Sequence, residues 1–108
     1  MILRAACLVF GLLWPALAMA HALVVFAFVD GGEVVVEAKF SNGRAAQAGT
    51  VSVFDGANTK LFDLQIVPGE ATRFAVDPEA GGYLIEVKTP NGHSDYWVLT
   101  PNDLKEAE

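Results

Sequence analysis

The sequence predicts an all-β fold, a sandwich of seven strands, and three observations carry that prediction. Beyond residue 20 the apolar residues alternate with polar ones at a period of two, as on a strand with one buried face. Turn-forming clusters interrupt the alternation repeatedly, at roughly the 8–12-residue spacing of sandwiches. No stretch after residue 20 carries the 3.6-residue period of an amphipathic helix.

The strands follow in order. Residues 22–29 are almost wholly apolar, so both faces of the first strand are expected to be covered. Asp30-Gly31-Gly32 turns the chain into residues 33–40, where Val34, Val36, Ala38 and Phe40 alternate with Glu33, Val35, Glu37 and Lys39. Ser41-Asn42-Gly43 ends that strand; the third spans 50–55, and Asp55-Gly56 leads to the fourth, 60–66, where Phe62, Leu64 and Ile66 form the inner face. Pro68-Gly69 precedes 71–76, and Gly81-Gly82 precedes 82–89, with Tyr83, Ile85 and Val87 inward. Pro90-Asn91-Gly92 then turns into 94–100. Aromatics at strand spacing are usually core, so Tyr83, Tyr96 and Trp97 are expected there. Residues 101–108 are polar and acidic and are expected to fray as a flexible tail. Residues 21–100 thus form one domain without internal repeat or linker.

The first twenty residues read as a cleavable signal peptide. Arg4 supplies a positive charge, Ala5 to Leu17 an apolar run, and Ala18-Met19-Ala20 a small-residue cleavage pattern. The run is shorter than the ~20 residues of a membrane-spanning helix, and Pro15 interrupts it. Retention as an uncleaved anchor is the alternative. The product is expected to be periplasmic or secreted, with no membrane span in the mature chain. Cleavage after Ala20 would remove Cys7, the single cysteine, and leave His21 first with a free α-amine. Cys7 lies near the start of the apolar run, not just after it as a lipidated cysteine would.

The formal net charge is -6, which argues against nucleic acid and anionic membrane as partners and is compatible with cations. The sequence has no nucleophile elbow, phosphate loop, H-E-x-x-H or C-x-x-C motif. A small sandwich also leaves little room for a catalytic cleft, so no enzyme is expected.

Two histidines remain. An N-terminal histidine can chelate through its α-amine and ring Nδ1, a donor pair suited to nickel, cobalt, copper or zinc. The amine titrates near pH ~8, so the metal must displace a proton. His93 follows the Pro90-Asn91-Gly92 turn, at the start of the last strand. If successive strands reverse, strands one and seven begin at the same end of the domain. In immunoglobulin-like and transthyretin-like sandwiches these strands are often parallel neighbours, which would bring His21 and His93 to one ion. Asn42, Glu70 and Asp95 are possible oxygen ligands at that end. Against this, a terminal histidine can be simply what the peptidase leaves. His93 can be an ordinary exposed turn residue, and loop carboxylates are usually just solvated.

The stretch His21-Ala22-Leu23-Val24-Val25-Phe26-Ala27, the turn Gly31-Gly32-Glu33-Val34, Phe40-Ser41-Asn42-Gly43, Val51-Ser52-Val53-Phe54-Asp55 and Gly92-His93 together resemble a known pattern. It is similar to the periplasmic accessory proteins of nickel and cobalt uptake transporters of the energy-coupling-factor type. These resemble the carboxypeptidase regulatory-like (transthyretin-like) β-sandwich. The resemblance implies a role in capturing or handing over nickel or cobalt, His21 and His93 as the metal histidines, and membrane transporter components as partners. Such proteins often continue into a C-terminal membrane helix, whereas this sequence stops after Lys105-Glu106-Ala107-Glu108. The expectation is therefore an exported metal-binding sandwich. The alternatives are a periplasmic copper carrier and a metal-free immunoglobulin-like adhesion or assembly module. A polysaccharide-cleaving oxidative enzyme with an N-terminal histidine brace would need a larger substrate face.

Overall fold

The computed structural model describes residues 21–106. The predicted signal peptide, with Ala18 and Ala20 at its cleavage site, lies outside them. The chain forms seven strands: β1 (Leu23–Asp30), β2 (Glu33–Phe40), β3 (Thr50–Asp55), β4 (Lys60–Gln65), β5 (Thr72–Ala75), β6 (Tyr83–Lys88) and β7 (Ser94–Leu99). One sheet has the order β1-β2-β5 and the other β4-β3-β6-β7, every ladder being antiparallel. The result is the all-β sandwich that the alternation predicts. The fourth strand joins the second sheet, not the first as in an immunoglobulin constant domain.

The two sheets bury their inward residues against each other. Val25, Val34, Val36, Val51, Val53, Ile85 and Val87 are each no more than 3% exposed, and all lie on the period-two faces of their strands. Removing this apolar surface from water is the main driving force for folding. Val35 is buried as well, although it points away from the interior. It lies on the central strand of its sheet, in register between Phe28 and Arg73, whose side chains flank it.

Position within the sheet overturns two expectations. β1 is an edge strand, so its outer face has a neighbour on one side only, and Val24 and Phe26 stand exposed rather than covered. β7 is an edge strand too. Tyr83 is core at 3% exposure, but Tyr96 is 61% exposed because its face of β7 turns outward beside Glu86. Trp97, though on the inner face, is 37% exposed at the same edge and not in the core. On the outer face of the second sheet the Ser52 hydroxyl donates to Asp63 at 2.7 Å. That bond, with Lys60 alongside, holds the Asp63 carboxyl below the usual carboxylate range.

The tail departs most from expectation. Pro101–Glu106 is a helix, α1, not a fraying segment. Thr100 and Asp103 cap it reciprocally: Thr100 N donates to Asp103 Oδ2 at 2.7 Å, and Asp103 N donates to Thr100 Oγ1 at 3.2 Å. Pro101 at the helix start has its φ already set for the first turn. Leu104 then docks into the core at 3% exposure. Reading residues 101–108 by polarity alone missed both the Thr-x-x-Asp cap and its single apolar anchor.

Candidate functional site

The site lies where β1 and β7 begin. Val25 meets Asp95, Phe26 packs edge-to-face on Trp97 with ring centres 5.0 Å apart, and Ala27 to Val29 share a groove with Val98 and Leu99. The contacts advance together along both strands, so β1 and β7 run parallel at the edges of opposite sheets. His21 and His93 accordingly line one open cavity of about 560 Å³. The rest of its wall comes from the turn after β2, with Phe40, Asn42, Arg44 and Gln47, and from Thr89 and Asn91 before β7.

Local chemistry holds these walls in place. Phe40 N donates to Arg44 O, Gly43 N to Phe40 O, and Ala46 N to Ala38 O. The Asn42 carboxamide oxygen accepts from Arg44 N at 3.0 Å, the local bond that makes asparagine favourable in turns. On the opposite wall Thr89 N donates to His93 O at 2.9 Å, and His93 N donates to the Thr89 hydroxyl at 3.2 Å. The Thr89 hydroxyl in turn donates to Asn91 Oδ1. The His93 ring is half-buried and packs edge-on against Phe40, with ring centres 5.3 Å apart. Its Nδ1 is buried without a hydrogen-bond partner, which leaves Nε2 as the ring atom for a ligand. A metal-bound imidazole ordinarily donates its second nitrogen to a carbonyl or carboxylate; among the described residues Nδ1 has no such partner, and the Phe40 ring packs against the imidazole.

The two carboxylates do not join the histidines. Glu70 opens onto different cavities, beside Val67, Ala71 and Thr72 on the far side of β2 and β5. Asp95 is occupied elsewhere, since its Oδ2 accepts from Val25 N at 2.8 Å across the gap between β1 and β7. It sits in register with the buried Val87, so period two turns it toward the interior. There the outward-pointing amide of an edge strand satisfies it. Among the described residues no group of three or more His, Cys, Asp or Glu is placed to hold a metal. The protein's own donors at this end are the two imidazoles, with the His21 amine added if cleavage falls after Ala20.

Asp95 therefore acts as a clasp between the sheets. Asp95→Ala is expected to destabilise the domain by about 1–2 kcal/mol, because the Val25 amide loses its acceptor. Asp95→Asn, which keeps an acceptor oxygen, should recover most of that loss. Hydrogen exchange at Val25 is the direct readout, and an unchanged rate in Asp95→Ala would remove the clasp from consideration.

The chain matches no protein-family profile, curated protein or solved structure. The fold rests on the structure alone. Among the described residues no helix is long and apolar enough to cross a membrane.

Residue-by-residue reading did not single out Arg44, Gln47, Thr89 or Asn91. An arginine in a polar turn gives no local sign of facing a cavity. Only the meeting of the turn after β2 with the turn before β7 puts it there.

Proposed function

We propose that the chain is an exported, non-enzymatic carrier that binds a divalent transition metal, nickel or cobalt, in support of its uptake. The observation that supports this reading most is the placement of both histidines of the chain on one open cavity at one end of the sandwich. After cleavage at Ala20 the His21 amine and ring would provide a chelate, and His93 Nε2 a third nitrogen. Imidazole and amine nitrogen favour late first-row metals. The motif resemblance to accessory proteins of nickel and cobalt transporters points the same way, with membrane transporter components as the recipients. The compartment would be the periplasm or the exterior.

The test is a calorimetric titration of the form that begins at His21. Nickel, cobalt, copper and zinc are compared, and the titration is repeated with one residue added before His21 and with His93→Ala. Each change is expected to weaken nickel binding by at least tenfold, about 1.4 kcal/mol. Equal affinity for the native and extended termini would rule out the amine chelate. Tight copper with weak nickel would favour a copper carrier.

A second reading, a metal-free assembly module, draws support from exposed apolar side chains. Val24, Phe26, Tyr96 and Val98 are exposed on β1 and β7, and clustered exposed apolar residues mark surfaces that bind other proteins. It becomes the better account if no metal binds above the level of an unrelated acidic protein.

A further inference from the structure

The cavity that holds the histidines differs in charge from its surroundings. The chain carries 13 Asp and Glu residues against 7 Lys and Arg, and three other cavities each include a carboxylate, Glu37 with Glu70, Asp103, or Glu70. Among the described residues no acidic side chain lines the histidine cavity. Apart from the histidines its one ionisable side chain is Arg44, to which the His21 ammonium is added once cleavage leaves that residue first. Arg44, like Lys39 and Lys105, has no ion-pair partner among the described residues, whereas Lys60, Arg73 and Lys88 are paired.

The neutral groups point to the same kind of ligand. Asn42 Oδ1 is engaged by the Arg44 amide and Asn91 Oδ1 by the Thr89 hydroxyl. Each carboxamide oxygen thus already accepts one hydrogen bond, while neither Nδ2 donates to another protein group among the described residues. A guanidinium with two amide donors and no carboxylate suits an anion, and arginine grips carboxylates with two parallel bonds.

A bare divalent cation fits this wall poorly. Imidazole and amine are neutral ligands, so the ion would keep its full double charge beside Arg44 with no counter-charge. Two imidazoles and one amine also leave open positions on a metal that takes up to six donors. An anionic chelator resolves both difficulties at once. It would neutralise the ion, complete its coordination and present carboxylates to Arg44, Asn42 and Asn91. A cavity of about 560 Å³ falls within the ~300–1,000 Å³ of small-molecule sites.

We propose that the metal enters this cavity as its complex with a small polycarboxylate, whose free carboxylate oxygens bind Arg44 and the amides of Asn42 and Asn91. The proposal rests on the metal reading above and adds the chemical form of the cargo and the residues that select it.

The test uses the form beginning at His21 and three probes: nickel chloride, an equimolar nickel–citrate mixture, and citrate alone. Nickel citrate is expected to bind at least about tenfold more tightly than nickel chloride, with citrate alone weaker than either. In Arg44→Ala the ratio between nickel citrate and nickel chloride is expected to fall toward one. If citrate merely competes, so that nickel binds less tightly in its presence, the chelate proposal is overturned while the metal reading stands. It is equally overturned if Arg44→Ala leaves the ratio unchanged, or if citrate alone binds as tightly as nickel citrate. Failure of both nickel chloride and nickel citrate to bind would bring down the metal reading and this proposal together.

Discussion

Ile85→Ala is expected to destabilise the domain by about 2–5 kcal/mol, the range for truncating a buried isoleucine when its surroundings cannot close on the space. Ile85 is fully buried on β6, in register with Val53 on one side and Trp97 on the other. The packed Val25, Val34, Val53 and Val87 belong to the same buried cluster. A domain of this size holds a total stability of about 5–15 kcal/mol, so the loss is a large share of the whole. Nothing covalent can offset it, since the single cysteine is Cys7 and residues 21–108 contain none. Urea denaturation gives the measurement, with Ile85→Val as the graded control at about 0.5–1.5 kcal/mol. An alanine variant no worse than the valine one would mean that Ile85 is not at the centre of the packing.

Gly56→Ala is expected to be nearly as damaging, at about 3 kcal/mol, the upper part of the range for overpacking. A β-carbon at Gly56 would lie 2.1 Å from the carbonyl oxygen of Gly81 and 2.6 Å from its carbonyl carbon. Both are backbone atoms, so no side chain can swing aside. The two turns are also tied together, as Gly56 N donates to Ala80 O at 2.9 Å. Gly31→Ala is the informative comparison. Gly31 has φ +61 and open space around it, so its substitution carries only the left-handed backbone strain of about 1–2 kcal/mol. Equal midpoints for the two variants in urea would show that the close approach of the two turns does not exist in solution.

Gly56 also shows how a correct sequence reading can rest on the wrong cause. Asp55-Gly56 reads as a turn, and a turn is there. The residue with positive φ in that hairpin is Asn58, at φ 65, not the glycine. Asp55 Oδ1 accepts from the amides of Ala57 and Thr59, both at 2.9 Å, and so organises the loop. Glycine is needed at 56 because another turn, distant in sequence, presses against it. Periodicity cannot report that contact.

The candidate site divides in the same way. That His21 and His93 share one end of the domain was legible, because reversing strands make it a matter of counting. That Asp95 would turn inward follows from its parity with Trp97, but its partner, the Val25 amide, lies 70 positions away. Glu70 sits on a connection between the two sheets, and its loop could have folded toward either seam. The packing around β2 and β5 decided against the histidines.

The sequence by itself determined the seven strands, their inward faces and the glycine-rich turns, because each depends on residues a few positions apart. Alternation selects the buried face, and turn chemistry sets where a strand must end. Tertiary structure alone decided which strands became edges, and with that the exposure of Val24, Phe26 and Tyr96. It also decided the docking of Leu104, the clasp at Asp95 and the arrival of Arg44 at the histidine cavity. These depend on which surfaces meet after the sheets have closed, and surfaces brought together from distant parts of the chain leave no periodic trace in it.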